Sequence, residues 1–160
     1  MIDALARLHA DGKTLTLTLA GDGEEMAALK AQVERLGLTH SVRFIGHVPA
    51  RYGFSQGKLL VVPSRGDSMP YVVIEAGAAG IPMVAAKVGG IPEIFGPHTE
   101  ALFAPNTVGA MADAIETALD DRDTAQARAR SLRERIFVHF SQKAMVEGVL
   151  AGYREAFANR

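Results

Sequence analysis

The chain has 160 residues, with 17 Lys and Arg against 18 Asp and Glu, and no Cys. That length fits one domain or slightly more around a single core, and a formal charge of −1 excludes a nucleic-acid binder that works by bulk charge. The absence of Cys excludes disulfides, zinc–thiolate sites and a Cys nucleophile, and it agrees with a cytoplasmic protein.

In chain order, Ile2, Leu5, Ala6 and Leu8 have helical spacing, and Asp3, Arg7 and His9 among them exclude a signal-peptide core. Residues 14–19 alternate Thr and Leu strictly and read as a strand, closed by Gly21-Asp22-Gly23. Met26, Leu29, Val33 and Leu36 recur at helical spacing, with Gly37 as the C-cap. Residues 42–45 form a short strand ending at Gly46, and 49–56 a loop or short helix. Leu59-Leu60-Val61-Val62 reads as a strand buried on both faces. Pro70, at the first helical position, opens a helix that runs to about Ala79. Residues 83–86 are another buried strand broken by Gly89-Gly90; 91–95 are one helical turn and 101–103 a last strand. Helices over 108–119, 124–137 and 142–158 complete the chain. The longest weakly polar stretch, 71–86, holds Glu75 and is too short to span a bilayer, which leaves peripheral membrane association open.

Alternating strand and helix predict a parallel sheet with helices on both faces and right-handed crossovers. Ligands then bind at the carboxyl ends of the strands. The densest loop is Pro63-Ser64-Arg65-Gly66-Asp67-Ser68-Met69-Pro70-Tyr71, followed by Val72-Val73-Ile74-Glu75-Ala76. Asp67 follows a buried strand. Glu75 sits in a helix among apolar neighbours, where a carboxylate is costly without partners. Two readings stand on spacing alone. Either the two acids and the open helix amides form a ligand site, or Asp67 caps the helix and Glu75 caps or pairs locally.

The remaining candidates read more simply. Gly21-Asp22-Gly23-Glu24 is a tight turn before it is a phosphate loop. His9, His40, His47, His98 and His139 have no metal spacing and take surface or packing roles. Asp120, Asp121 and Asp123 mark a solvated helix junction. Arg128, Arg130, Arg133 and Arg135 read as a solvated face, with phospholipid contact as the rival reading.

With Ala78-Ala79-Gly80-Ile81-Pro82-Met83-Val84-Ala85 and Val88-Gly89-Gly90-Ile91-Pro92-Glu93 after it, the dense segment resembles the C-terminal, donor-binding domain of the family 4, GT-B-fold retaining glycosyltransferases (glycosyl transferases group 1). The match runs over about residues 1–150. It implies a Rossmann-like parallel sheet with a helical C-terminal tail: one truncated nucleotide-sugar-binding domain, with a core over 1–121 and helices over 122–160. It implies that Glu75 holds the ribose hydroxyls of the nucleotide and that Asp67 contacts the transferred sugar, as the catalytic acids. Asp67 stands where the family usually has Glu, one methylene longer. Ser68, Met69 and Pro70 replace the family's Gly-Phe-Gly. Pro70 offers no amide, so the amides of Met69 and Tyr71 are the substitutes. Gly46, His47 and Val48 match the loop that meets the base through backbone atoms. Arg65 orients Asp67, meets a phosphate or is a plain surface residue. Gly89 and Gly90 let backbone approach the donor site or are simply a loop.

The resemblance also implies absences. The family's domain begins with one more strand, central in the order 3-2-1-4-5-6, whose loop leads to an Arg and a Lys that grip the donor diphosphate. Residues 1–6 align with the helix after that loop, so the expectation is a gap or altered pairing between the strands at 15–19 and 59–62. The N-terminal acceptor domain is expected to be missing, the chain alone inactive, and the last helix to carry an uncovered stripe of Met145, Leu150, Tyr153 and Phe157. The implied function is sugar transfer from a nucleotide-diphosphate sugar to a hydroxyl with retention, as in polysaccharide synthesis, in the cytoplasm or at the inner membrane face, with no cofactor and no metal. The rivals are a GT-B-fold nucleotide-sugar epimerase and a non-catalytic nucleotide-sugar-binding or structural module.

Overall fold

The computed structural model describes residues 1–158. Helix and strand alternate as expected: α1 (Ile2–Ala10), β1 (Leu17–Ala20), α2 (Met26–Arg35), β2 (Val42–Gly46), α3 (Ala50–Phe54), β3 (Leu60–Val62), α4 (Tyr71–Ala78), β4 (Met83–Ala86), α5 (Ile91–Phe95), a 3-10 turn (Thr99–Ala101), β5 (Leu102–Phe103), α6 (Val108–Asp120), α7 (Arg122–His139) and α8 (Gln142–Ala158).

The strands form two parallel sheets instead of one. β1 pairs with β2, Leu17 opposite Val42. β3, β4 and β5 form the second sheet in that order, Leu60 opposite Met83 and Ala85 opposite Leu102. Among the described residues no strand joins β1 to β3, so the structure has the gap and not the altered pairing.

The gap explains two departures from the sequence reading. β3 was expected to be buried on both faces. Only Val62 is buried, with Leu60 and Val61 half-buried, whereas every residue of β4 is buried. β4 has a strand on each side; β3 is the edge of its sheet. β1 is shorter and later than the alternation over 14–19 suggested, because its ladder begins only where Val42 supplies a partner. The Leu15 carbonyl instead accepts from the His9 ring at 2.8 Å.

Side-chain packing ties the two sheets together. Ile2 and Leu5 of α1 join Val33 and Leu38 in a core lined by Leu17, Leu19 and Phe44. Ala4 and Leu8, on the other side of the same helix, join Val84, Phe103, Met111 and Ile115. Arg7 pairs with Asp113 at 2.8 Å, and Lys13 with Glu116 and Asp120 at 2.9 Å, which pins α1 to α6. The bonds that Lys13 donates to Glu116 and Asp120 raise its pKa. A third core holds Val62, Val73, Ala76, Ile91, Ile94, Phe95, Leu132 and Ile136 beneath α4, α5 and α7. Phe54 of α3 packs against it.

The C-terminal helices follow the expected spans. Asp121 caps α7 by accepting from the Thr124 amide at 3.0 Å, which holds its carboxyl below the usual range. Asp120 is not free, since it binds Lys13. α8 has no buried residue, and Met145, Leu150, Tyr153 and Phe157 are exposed.

Candidate functional site

β3 ends at Val62, and the chain crosses its carboxyl end through residues 63–70 before entering α4. Arg65, Asp67, Ser68 and Met69 lie exposed in this loop. Pro70 is buried and is the N-cap, one position earlier than expected, with φ −72° and ψ 114°. Its locked φ suits an extended approach to the helix as well as the first turn itself. No side chain caps α4, which rules out the capping role considered for Asp67; the Val73 amide donates to the Pro70 carbonyl at 3.1 Å, and the amides of Tyr71 and Val72 stay open.

Glu75 has apolar sequence neighbours but is exposed, so the cost expected of an unpartnered carboxylate among them does not arise. Val73, Ala76 and Gly77 form the buried face of α4, and Glu75 lies about 200° around the helix from Val73. It is exposed on the same side as Tyr71, which is 79% exposed, and Val72. A carboxylate here costs no desolvation, and no local pairing offsets one. Among the described residues, the side chains of Arg65, Asp67 and Glu75 have no hydrogen-bond or ion-pair partner within the protein.

Gly89 and Gly90, just after β4, meet this loop directly. The Gly90 amide donates to the Asp67 carbonyl at 3.3 Å. Gly89 has φ +50°, and a Cβ on it would stand 2.7 Å from the Asp67 carbonyl carbon and overlap its oxygen. A Cβ on Gly90 would overlap the Ser68 carbonyl. The glycines therefore do more than end a strand: backbone lies against backbone, and the 67–69 loop rests on the turn after β4. Arg65 stands near the start of α1. Burial lowers the Met1 amino pKa against the opposing charge of Asp3, and Arg65 adds a smaller lowering.

Gly46, His47 and Val48 belong to the other sheet. The Gly46 carbonyl accepts from the Gly21 amide at 2.7 Å, His47 is exposed, and Val48 contacts the Gly53 position of α3. The link to the 65–75 segment runs through α3, whose Phe54 reaches the third core. The structure thus brings Arg65, Asp67, Ser68, Met69, Pro70, Tyr71, Glu75, Gly89 and Gly90 together on one sheet and places Gly46–Val48 on its neighbour. The Gly21 loop is a turn, with Asp22 accepting from the Gly23 amide at 2.8 Å. A groove of about 310 Å³ lies at the opposite end of β3 and β4, lined by Lys58, Leu59, Pro82, Leu119 and Arg122 among others, away from all of these residues. Among the described residues no group of three His, Asp or Glu side chains could hold a metal ion.

The sequence reading missed what α7 does. Its arginines are only in part a solvated face: Arg130 and Arg133 are exposed, Arg128 and Arg135 half-buried, and three of the four bind other elements. Arg133 donates to the Ala78 carbonyl at 3.1 Å, and Arg135 to the Ile94 and Glu93 carbonyls at 3.1 and 3.0 Å. Arg128 pairs with Glu100 at 2.7 Å. Gly77 lets α4 approach α7 closely, since a Cβ there would overlap Ile136 and touch Leu132. Arg130 alone of the four has no such partner among the described residues. A usable signal was the small-residue run Ala76-Gly77-Ala78-Ala79-Gly80, which marks a close helix contact.

A parallel α/β domain with its open, charged loops at the carboxyl ends of the strands belongs to the doubly wound class that binds ligands at those ends. Comparison with known proteins narrows this. The Glycosyl transferases group 1 family model matches residues 1–121, and the chain belongs to that family. Glycogen synthase of Mycobacterium tuberculosis is 31% identical over 159 residues, covering 97% of this chain and 38% of that protein. D-inositol 3-phosphate glycosyltransferase of Mycobacterium leprae is 34% identical, covering 98% and 39%. Among solved structures, sucrose-phosphate synthase from Thermosynechococcus elongatus superposes with a TM-score of 0.80 at 28% identity, covering 99% of this chain and 43% of that one. HepE of Anabaena in complex with UDP-glucose gives 0.83 at 26%, covering 96% and 44%. The chain spans about two fifths of the length of these curated relatives. Among the described residues no helix is long and apolar enough to cross a membrane.

Proposed function

We propose that this chain is the donor-binding domain of a glycosyltransferase that moves a sugar from a nucleotide-diphosphate sugar to a hydroxyl acceptor with retention of anomeric configuration. One observation carries the reading. Arg65, Asp67 and Glu75 stand exposed and unpartnered on a single loop–helix segment whose backbone is seated on Gly89 and Gly90. Charged groups held in place without partners suit a polar ligand. Glu75 accepts two hydrogen bonds from adjacent ribose hydroxyls. Asp67 faces the sugar, and Arg65 with the amides of Met69 and Tyr71 meets the diphosphate. Gly46, His47 and Val48 meet the base through backbone. The neighbour solved with UDP-glucose supports this donor class.

In the full enzyme the bond from the anomeric carbon to the phosphate oxygen breaks, and the acceptor oxygen bonds to the same face. The acceptor proton passes to the leaving phosphate. The reading includes no metal and no cofactor. It places the acceptor site on an N-terminal domain outside this chain and the working enzyme in the cytoplasm or at the inner membrane face. The 160-residue chain alone then transfers no sugar.

Calorimetry with UDP, GDP and ADP tests the reading. The expected result is binding of at least one, lost in Glu75→Ala and kept in Arg130→Ala. Failure of all three nucleotides to bind would leave a structural module as the better account.

A further inference from the structure

The arginines of α7 lie on the far side of α4 and α5 from the loops just described, and the donor reading gives them no part. We propose that Arg135, seconded by Arg133, is a positioning residue: it fixes α5, and through α5 the Gly89–Gly90 turn, against the loop that carries Asp67. This rests on the donor-site reading.

α5 has only five residues, so it is about 7.5 Å long. Its two ends are held by different things. At the start, the Gly90 carbonyl accepts from Ile94 at 3.1 Å, and the Gly90 amide binds the Asp67 carbonyl at 3.3 Å. At the end, the Pro92 and Phe95 carbonyls accept from the Gly96 and His98 amides, which leaves those of Glu93 and Ile94 without a backbone donor. Arg135 supplies one with two directed bonds, to Ile94 and to Glu93. Its guanidinium lies against Gly96, where a Cβ would come within 2.6 Å of its central carbon, and 6.0 Å from the Phe140 ring. A cation at a helix carboxyl end also complements the helix dipole. So short a helix cannot hold its own direction by internal bonds; clamped at both ends, it behaves as a strut between α7 and the site.

The same device recurs on α4. Arg133 binds the Ala78 carbonyl at the end of the helix that bears Glu75, beside the place where Gly77 meets Leu132 and Ile136 across the interface. α7 therefore holds both site helices by the ends that face away from the ligand. Lys is a poor substitute, because its single ammonium cannot direct two bonds in a fixed fork.

The test compares Arg135→Met, Arg135→Lys and Arg130→Met with the parent chain. Melting and circular dichroism establish that each is folded. Amide NMR then follows Gly89 and Gly90 without ligand, and calorimetry follows whichever of UDP, GDP or ADP the parent binds. The proposal expects displaced Gly89 and Gly90 resonances and faster exchange of the Gly90 amide in Arg135→Met. It also expects affinity to fall on the order of tenfold, since small misplacements at a site are costly, with partial recovery in Arg135→Lys and no change in Arg130→Met. Unchanged glycine resonances and affinity in a folded Arg135→Met overturn it. Should Arg135→Met fail to fold, Arg135→Lys decides by the same readouts. If the parent binds no nucleotide, the donor reading fails, and the glycine resonances alone decide the positioning role.

Discussion

The contact between Gly89 and Asp67 makes a quantitative prediction through Gly89→Ala. Alanine at φ +50° is in the left-handed region, which costs about 1–2 kcal/mol, partly offset by the smaller entropy of the unfolded alanine chain. The second cost is specific to this site. The new Cβ would be 2.7 Å from the Asp67 carbonyl carbon, where ordinary contact begins at 3.4 Å. It also overlaps the oxygen, and because both partners are backbone, no side-chain rotation relieves it. Overpacking of this kind costs about 1–3 kcal/mol. Gly37→Ala is the control, since Gly37 also has positive φ, +68°, but open space around its Cβ direction. The expected difference between the two variants is about 2 kcal/mol, or ~4–8 °C in Tm for a chain of this size. Thermal melts give the difference, and calorimetry on the same samples gives nucleotide affinity, expected to fall only in Gly89→Ala. Equal melting temperatures for the two variants, with parental binding in Gly89→Ala, would refute the backbone contact.

Three further outcomes follow from the packing. Gly77→Val places a branched side chain against Ile136 and Leu132, and unfolding in urea is expected to reveal a loss of about 1–3 kcal/mol; parental stability would mean α4 and α7 are further apart than described. Glu100 is half exposed. Burial raises its pKa, but its backbone bond and Arg128 outweigh this, so the net shift is downward. It therefore stabilises the fold above the unfolded carboxyl value, and the contribution fades as pH falls through the lower folded value. Solvent screening limits the contribution to about 0.5 kcal/mol, so Glu100→Gln should lower Tm by ~1–2 °C at neutral pH and flatten its acid dependence; superimposable pH–Tm curves would contradict the pairing. Finally, ending the chain at Phe140 removes α8, which buries no residue, and Tm is expected to stay within about 2–4 °C of the parent, a change of roughly 1 kcal/mol. A larger drop in melting scans would show that α8 supports the core.

Much of this fold was legible because the strands are short, apolar and closely punctuated. The apolar run ending in Val62 and the Met83-Val84-Ala85-Ala86 run could hardly be anything else. The split of the sheet was also readable, once residues 1–6 were aligned to a helix that ordinarily follows a strand. What failed was geometry on helices. Glu75 looked costly because its sequence neighbours are apolar, yet successive residues turn about 100° apart, and the narrow face of Val73, Ala76 and Gly77 is enough to dock α4. The arginines of α7 looked solvated because carbonyl acceptors are invisible in a sequence. Every residue has one, and only the fold reveals that those of Ala78, Glu93 and Ile94 end helices within reach. The close approach of Gly89 to Asp67 was half legible: two adjacent glycines announce a tight passage, but not what passes.

The divided sheet bears on how the candidate ligand loops keep their spacing. Strands in one ladder move as a body, since hydrogen bonds fix their separation. Gly46, His47 and Val48 ride on the β1–β2 ladder, whereas Asp67, Gly89 and Gly90 ride on the other. No ladder among the described residues crosses between them, so the distance from one set to the other is set by side chains: α1 with a foot in each core, and Phe54 of α3 against the third. Such contacts slide more readily than hydrogen-bonded strands do. A ligand long enough to touch both sets therefore acts as a crossbeam, completing a rigidity that the backbone leaves open.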